Sequence, residues 1–230
     1  MYKIKNVRQL SFKMVILSLV LSILIWTIVT NAWGYTNYLN IASHSWASYI
    51  FAFFSRLLWS VPAIVLLVRY KHDVPVTFEQ LFTNMPQVKP LMGAVTIISL
   101  YNLAAMFYNH GGLWINPYFH FAKHFSMFLM VAFAEELVYR GWGLNALSAF
   151  VPEKIANAIA VIFFIILHLP AYFIRYFLYG TFPMQAVAVQ CAYVLVLGLF
   201  FGYLYCKGKS LWSCMLAHFL ADFMGVMIVG

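Results

Sequence analysis

Apolar runs of roughly 20 residues alternate with short polar segments along the whole chain. They cover Met14–Trp33, Trp46–Val68, Pro90–Asn109, Phe119–Leu147, Ile155–Ile174, Met184–Cys206 and Leu211–Val229. A helix of about 20 residues spans the hydrocarbon layer at 1.5 Å per residue. The ten-residue alternation of a membrane barrel is absent. The pattern predicts an all-α, polytopic transmembrane helical bundle of about seven spans, within a range of six to eight.

The polar segments orient it. Lys3, Lys5, Arg8 and Lys13 precede the first run, and Arg69, Lys71 and Lys89 fall between the second and third. Lys154, and then Lys207 with Lys209, follow at alternate connections, whereas the opposite side offers only Lys123 and Arg175. By the positive-inside bias the N-terminus is expected in the cytoplasm and the C-terminus outside. The first run reads as a retained helix, because it is longer than a signal-peptide core and no small-residue cleavage site follows it. Residues 1–118 read as three spans with a cytoplasmic loop at 70–89, and 119–230 as a helical core, packed together as one membrane domain. Within the loop, Val76–Met85 can form a short interfacial helix with Phe78, Leu81, Phe82 and Met85 on one face, or an ordinary linker.

Composition sharpens this. Charged residues make up 9% of the chain and hydrophobic ones 64%, against about 25% and 45–50% in a soluble domain. Twenty-two Phe, 15 Tyr and 7 Trp exclude a disordered chain. The net charge of +8 comes from scattered loop residues, so no nucleic-acid partner is expected. Cys191, Cys206 and Cys214 form no CxxC pair and read as apolar fillers.

Ionisable residues inside spans are costly and mark function by default. Span four holds Glu135, Glu136 and Arg140, span five His168, and span seven His218 and Asp222. Glu136 and Arg140 are four apart, the spacing of a helical ion pair. His218 and Asp222 share that spacing, so Asp222 is expected to accept from one imidazole nitrogen and orient the ring. Counted from the span ends, Glu135, His168 and His218 can meet in one cavity. Phe164, one turn before His168, either packs beside it or faces lipid. Arg56 in span two is expected to link structurally to a carboxylate or carbonyls of another element.

The ordered set Glu135-Glu136-x-x-x-Arg140, Phe164-x-x-x-His168, His218-x-x-x-Asp222 resembles the three-motif signature of the CAAX prenyl protease and bacteriocin-processing family (CPBP, or Abi). These are polytopic intramembrane proteases. The resemblance covers about Phe119–Val229, and the Glu-Glu-Leu-Val-Tyr-Arg-Gly segment is particularly like bacterial members. Some prenyl-protease members carry Asn four residues after the second-motif His, where this chain has Tyr172. That departure points away from prenylated substrates.

The resemblance implies peptide hydrolysis within the membrane, in a bacterial plasma membrane, and the residues suit it. No GxSxG or HExxH motif is present. Glu135 and His168 are expected to position and deprotonate a water, with His218 and Asp222 stabilising the oxyanion. Glu136, Arg140 and Phe164 are expected to support them. Either no cofactor is required, or Zn²⁺ sits on Glu135, His168 and His218 with water in the fourth position. The expected partners are membrane lipid and a membrane-associated peptide or protein, such as a CAAX-type terminus or a bacteriocin leader, reaching a cavity open to the cytoplasmic side. Two other classes stay open: a non-catalytic immunity or scaffold protein of the same fold, and a proton-coupled transporter.

Overall fold

A computed structural model describes residues 9–38, 46–177, 180 and 183–229, so Lys3, Lys5 and Arg8 lie outside the described residues. The described residues are helical, with no strand among them. Long helices are α1 (Phe12–Tyr38), α2 (Trp46–Arg69), α4 (Val88–His110), α7 (Glu153–Phe177) and α8 (Met184–Gly208). The short α3 is Phe78–Thr83. Between α4 and α7 runs one continuous helical path, α5 (Phe121–Glu136), a π-helical stretch (Leu137–Leu144) and α6 (Asn145–Leu147). The last helix is α9 (Leu211–Met224), continued by a π-helical turn, Gly225–Val229.

Among the described residues, six helical stretches are long and apolar enough to cross a membrane. The protein is an integral membrane protein. The expected fourth span is the α5–π–α6 path, whose α-helical part is only 16 residues. The change of winding begins one residue after Glu136, and π-helical turns recur at functional sites.

Two ends can be told apart. At one end Asp73 Oδ2 accepts from the Leu10 amide at 3.0 Å. Asn145 exchanges hydrogen bonds with the backbone of Val76 at 2.7 and 3.1 Å. Asn84 Nδ2 donates to Lys209 O at 2.9 Å, and Lys209 pairs with Glu153. At the other end the Asn116 amide donates to Met227 O at 2.9 Å, and His110 Nε2 to Val229 O at 3.0 Å.

The loop helix is real but shorter than Val76–Met85, and it faces protein. Thr77 caps α3 with Gln80 in a reciprocal box. Leu81 is fully buried, whereas Met85 lies beyond the helix and is exposed.

Close helix contact sets the core. A Cβ at Gly202 of α8 would stand 1.8 Å from Asn157 Oδ1 of α7, and one at Gly198 would stand 3.1 Å from Val161. Two glycines four apart thus let α7 and α8 approach backbone to side chain. Asn157 Nδ2 uses that approach to donate to Leu199 O at 3.0 Å.

Candidate active site

Three helices bring the ionisable residues together. Arg140 Nη1 donates to Glu136 Oε1 at 2.7 Å, with both side chains essentially inaccessible (1% and 0%). Arg140 Nη2 donates to Gly198 O of α8 at 2.9 Å. The same Glu136 oxygen accepts from His218 Nδ1 of α9 at 2.8 Å. One carboxylate therefore ties α9 to the Glu/Arg helix, and its arginine ties both to α8.

Spacing named only part of this arrangement. Asp222 faces the ring as expected, but the short hydrogen bond that orients His218 runs to Glu136. The Asp222 Oδ2 atom is 3.5 Å from the other nitrogen, Nε2, and Glu135 Oε2 is 3.8 Å from it. Glu135 and Glu136 are adjacent in sequence, yet both reach the one imidazole, from opposite edges. Glu135 and His218 are nearly buried (8% and 7%), while Asp222 is 31% exposed.

His168 has a defined tautomer. Its Nδ1 lies 2.7 Å from Phe164 O. A carbonyl only accepts, so Nδ1 carries the hydrogen and the neutral ring presents a lone pair at Nε2. Phe164 is buried, with ring centroids 4.8 Å from His168 and 6.1 Å from His218, edge-on to both. The lipid-facing alternative for Phe164 is thereby removed. The Arg140 guanidinium lies 4.7 Å over the same ring. Phe164 thus separates the two histidines and covers the buried cation.

Residues 122–224 match the family model for type II CAAX prenyl endopeptidases, Rce1-like. These residues, just under half of the chain, are similar to that family and form an Rce1-like region. No curated protein and no solved structure matches the chain. The Rce1-like region lies within Phe119–Val229 and contains all three motifs.

The Rce1-like region also holds residues that spacing alone did not single out. Phe201 of α8 stacks on His218 at 5.1 Å and lies 5.6 Å from the Arg140 guanidinium. Tyr139 packs edge-on to Phe164 at 5.1 Å, and its buried hydroxyl has no hydrogen-bond partner among the described residues. Phe201 lies in an apolar run without polar punctuation, so nothing in the pattern distinguished it. Tyr139 lies inside the Glu-Glu-Leu-Val-Tyr-Arg-Gly segment, where spacing assigned roles only to Glu135, Glu136 and Arg140.

Arg56 belongs to α2, outside the Rce1-like region. Its Nη1 donates to Ala52 O of its own helix at 3.1 Å, and its guanidinium lies 5.1 Å from the Trp26 ring. The expected link to another element is therefore a ring, while the carbonyl it uses is its own.

The residues present do not fit a zinc centre as arranged. Among the described residues, no group of three or more His, Cys, Asp or Glu could hold a metal ion.

Proposed function

We propose that the protein is an intramembrane endopeptidase in which Glu135 is the general base. The observation that carries this reading is His218, held between Glu136 at Nδ1 and the Glu135/Asp222 pair at Nε2. A ring that donates from both nitrogens toward oxygens is suited to stabilise a developing oxyanion.

Glu135 takes a proton from a water whose other hydrogen is accepted by the lone pair on His168 Nε2. The water oxygen bonds to the scissile carbonyl carbon, and the carbonyl oxygen becomes an oxyanion that accepts from His218. Glu135 then returns the proton to the peptide nitrogen as the oxyanion collapses and the C–N bond breaks, giving an amine and a carboxylic acid, whose proton passes to solvent. Asp222 supports the His218 charge. Glu136, Arg140 and Phe201 fix the ring plane before substrate arrives, so little reorganisation is needed during the reaction.

The substrate class we propose is a membrane-associated peptide or protein, in a bacterial plasma membrane, with maturation of a peptide such as a bacteriocin or self-immunity as the biological setting. Tyr172, with its ring centroid 6.0 Å from that of His168, occupies the position where prenyl-protease members carry Asn. This favours non-prenylated substrates. Mass spectrometry of membranes from cells expressing the natural chain or Glu135→Gln tests the proposal. An uncut peptide should accumulate only with the variant; identical peptide profiles would remove it.

A further inference from the structure

The site is closed at one end of the bundle and open toward the other. Between Glu136 and the end carrying the 70–87 connection, every residue from Leu137 to Leu147 is buried. A Cβ at Gly141 would stand 3.3 Å from Leu81 of α3 and 3.4 Å from Leu211 of α9, so α3 and α9 leave no passage beside it.

In the opposite direction along α9 the residue after His218 on the same face is Asp222, the exposed member of the site. It lines a cavity of about 300 Å³ together with Asn102, Gln190 and Gly225. The rim includes Tyr101 of α4 and Tyr193 of α8, whose rings stack at 5.9 Å. Asn102 is buried, and its Nδ2 is committed to Ile98 O at 2.9 Å. Its Oδ1, 3.8 Å from where a Gly225 Cβ would stand, remains as an acceptor. Phe128, Val189, Val226 and Val229 complete the lining, so the amides and the carboxylate offer partners to a peptide backbone and the apolar wall a seat for its side chains.

We propose that substrate reaches Glu135 through this α4–α8 cleft, from the end that carries Gly111–His120, as an extended peptide segment whose backbone pairs with Asn102 and Gln190. The proposal rests on the endopeptidase reading above. It also assigns a side. The described basic residues Lys13, Arg69, Lys71, Lys89, Lys154, Lys207 and Lys209 lie toward the closed end, against Lys123 and Arg175 toward the open one. By the positive-inside bias the mouth faces away from the cytoplasm. The substrate is then a membrane-anchored peptide presented on the outer side, not the cytoplasmic one expected from the sequence. The Tyr101–Tyr193 pair is the gate such a segment must part.

Single-cysteine variants in a background with Cys191, Cys206 and Cys214 replaced by Ala test this directly. Gln190→Cys, Leu113→Cys at the open end and Lys154→Cys at the closed end are treated in intact cells with a charged, membrane-impermeant maleimide. Gln190→Cys should label together with Leu113→Cys, and Lys154→Cys only after the membrane is opened. Labelling of Gln190→Cys with Lys154→Cys instead, or its failure to label although the denatured protein does, overturns the proposal. This readout needs no cleavage, so its failure leaves the endopeptidase reading standing. Bridging Tyr101→Cys to Tyr193→Cys with a short reducible crosslinker should abolish cleavage of a single-span peptide until reduction; full activity while bridged overturns the gate. Retained cleavage in Glu135→Gln would instead strike the endopeptidase reading.

Discussion

His218 Nδ1 donates to Glu136 Oε1 at 2.8 Å, and the same oxygen receives Arg140 at 2.7 Å. The imidazole is therefore oriented by a carboxylate that is itself held by a cation and, through that cation, by the Gly198 carbonyl. A carboxylate with this arrangement fixes the orientation and the plane of the ring.

Glu136→Gln keeps the shape but offers the ring an amide whose orientation is no longer set by charge. The expected result is a fall in kcat on the order of 10²-fold or more, as for a histidine whose orienting carboxylate becomes an amide, with KM little changed. Asp222→Asn, at the exposed edge, should cost less than about tenfold because solvent screens that charge. Steady-state kinetics of the two variants decide the order; a larger loss at Asp222 would return the orienting role to it.

Arg140→Met leaves Glu136 buried without its cation, at an expected loss of about 3–5 kcal/mol. Thermal unfolding in detergent reads this as a lowered Tm. The Glu136→Gln/Arg140→Met pair should lose less than the two single changes together, because neither partner is left charged and alone. Strict additivity would mean the two side chains are not coupled.

Much of this arrangement was legible beforehand, and the limits have a physical cause. Span boundaries follow from hydrophobic length, and the Glu136–Arg140 pair from helical spacing, because both are local. The second partner of His218, Glu136, was missed because spacing exposes only neighbours on the same helix. Asp222 is one turn away in α9, whereas Glu136 arrives by packing of α9 against α5. Phe201 was invisible for the same reason, since its work is done by facing His218 across two helices. The π-helical winding after Glu136 has no periodic signature, so the Phe119–Leu147 run looked like an ordinary span.

Gly202→Ala should destabilise the α7–α8 contact by roughly 1–3 kcal/mol, the usual cost of forcing a methyl into packed surroundings. The obstacle is the Asn157 side chain, with Oδ1 at 1.8 Å from the added carbon. Asn157→Ala in the same chain should recover part of that loss in a thermal unfolding assay. No recovery would place the obstacle elsewhere.

Metal removal gives a further test. Since no three ligating side chains among the described residues could hold an ion, cleavage by purified protein should survive exhaustive chelation undiminished. Loss on chelation and recovery with Zn²⁺ alone would show that the donors rearrange into a centre when metal binds.

The central claim is that Glu135, beside His218, activates the water. Purified chain and its Glu135→Gln variant, reconstituted in liposomes with single-span peptides and followed by mass spectrometry of the products, test it most directly. The account predicts specific internal cleavage by the natural chain and none by the variant at equal folding. Cleavage at an unchanged rate in Glu135→Gln would contradict it.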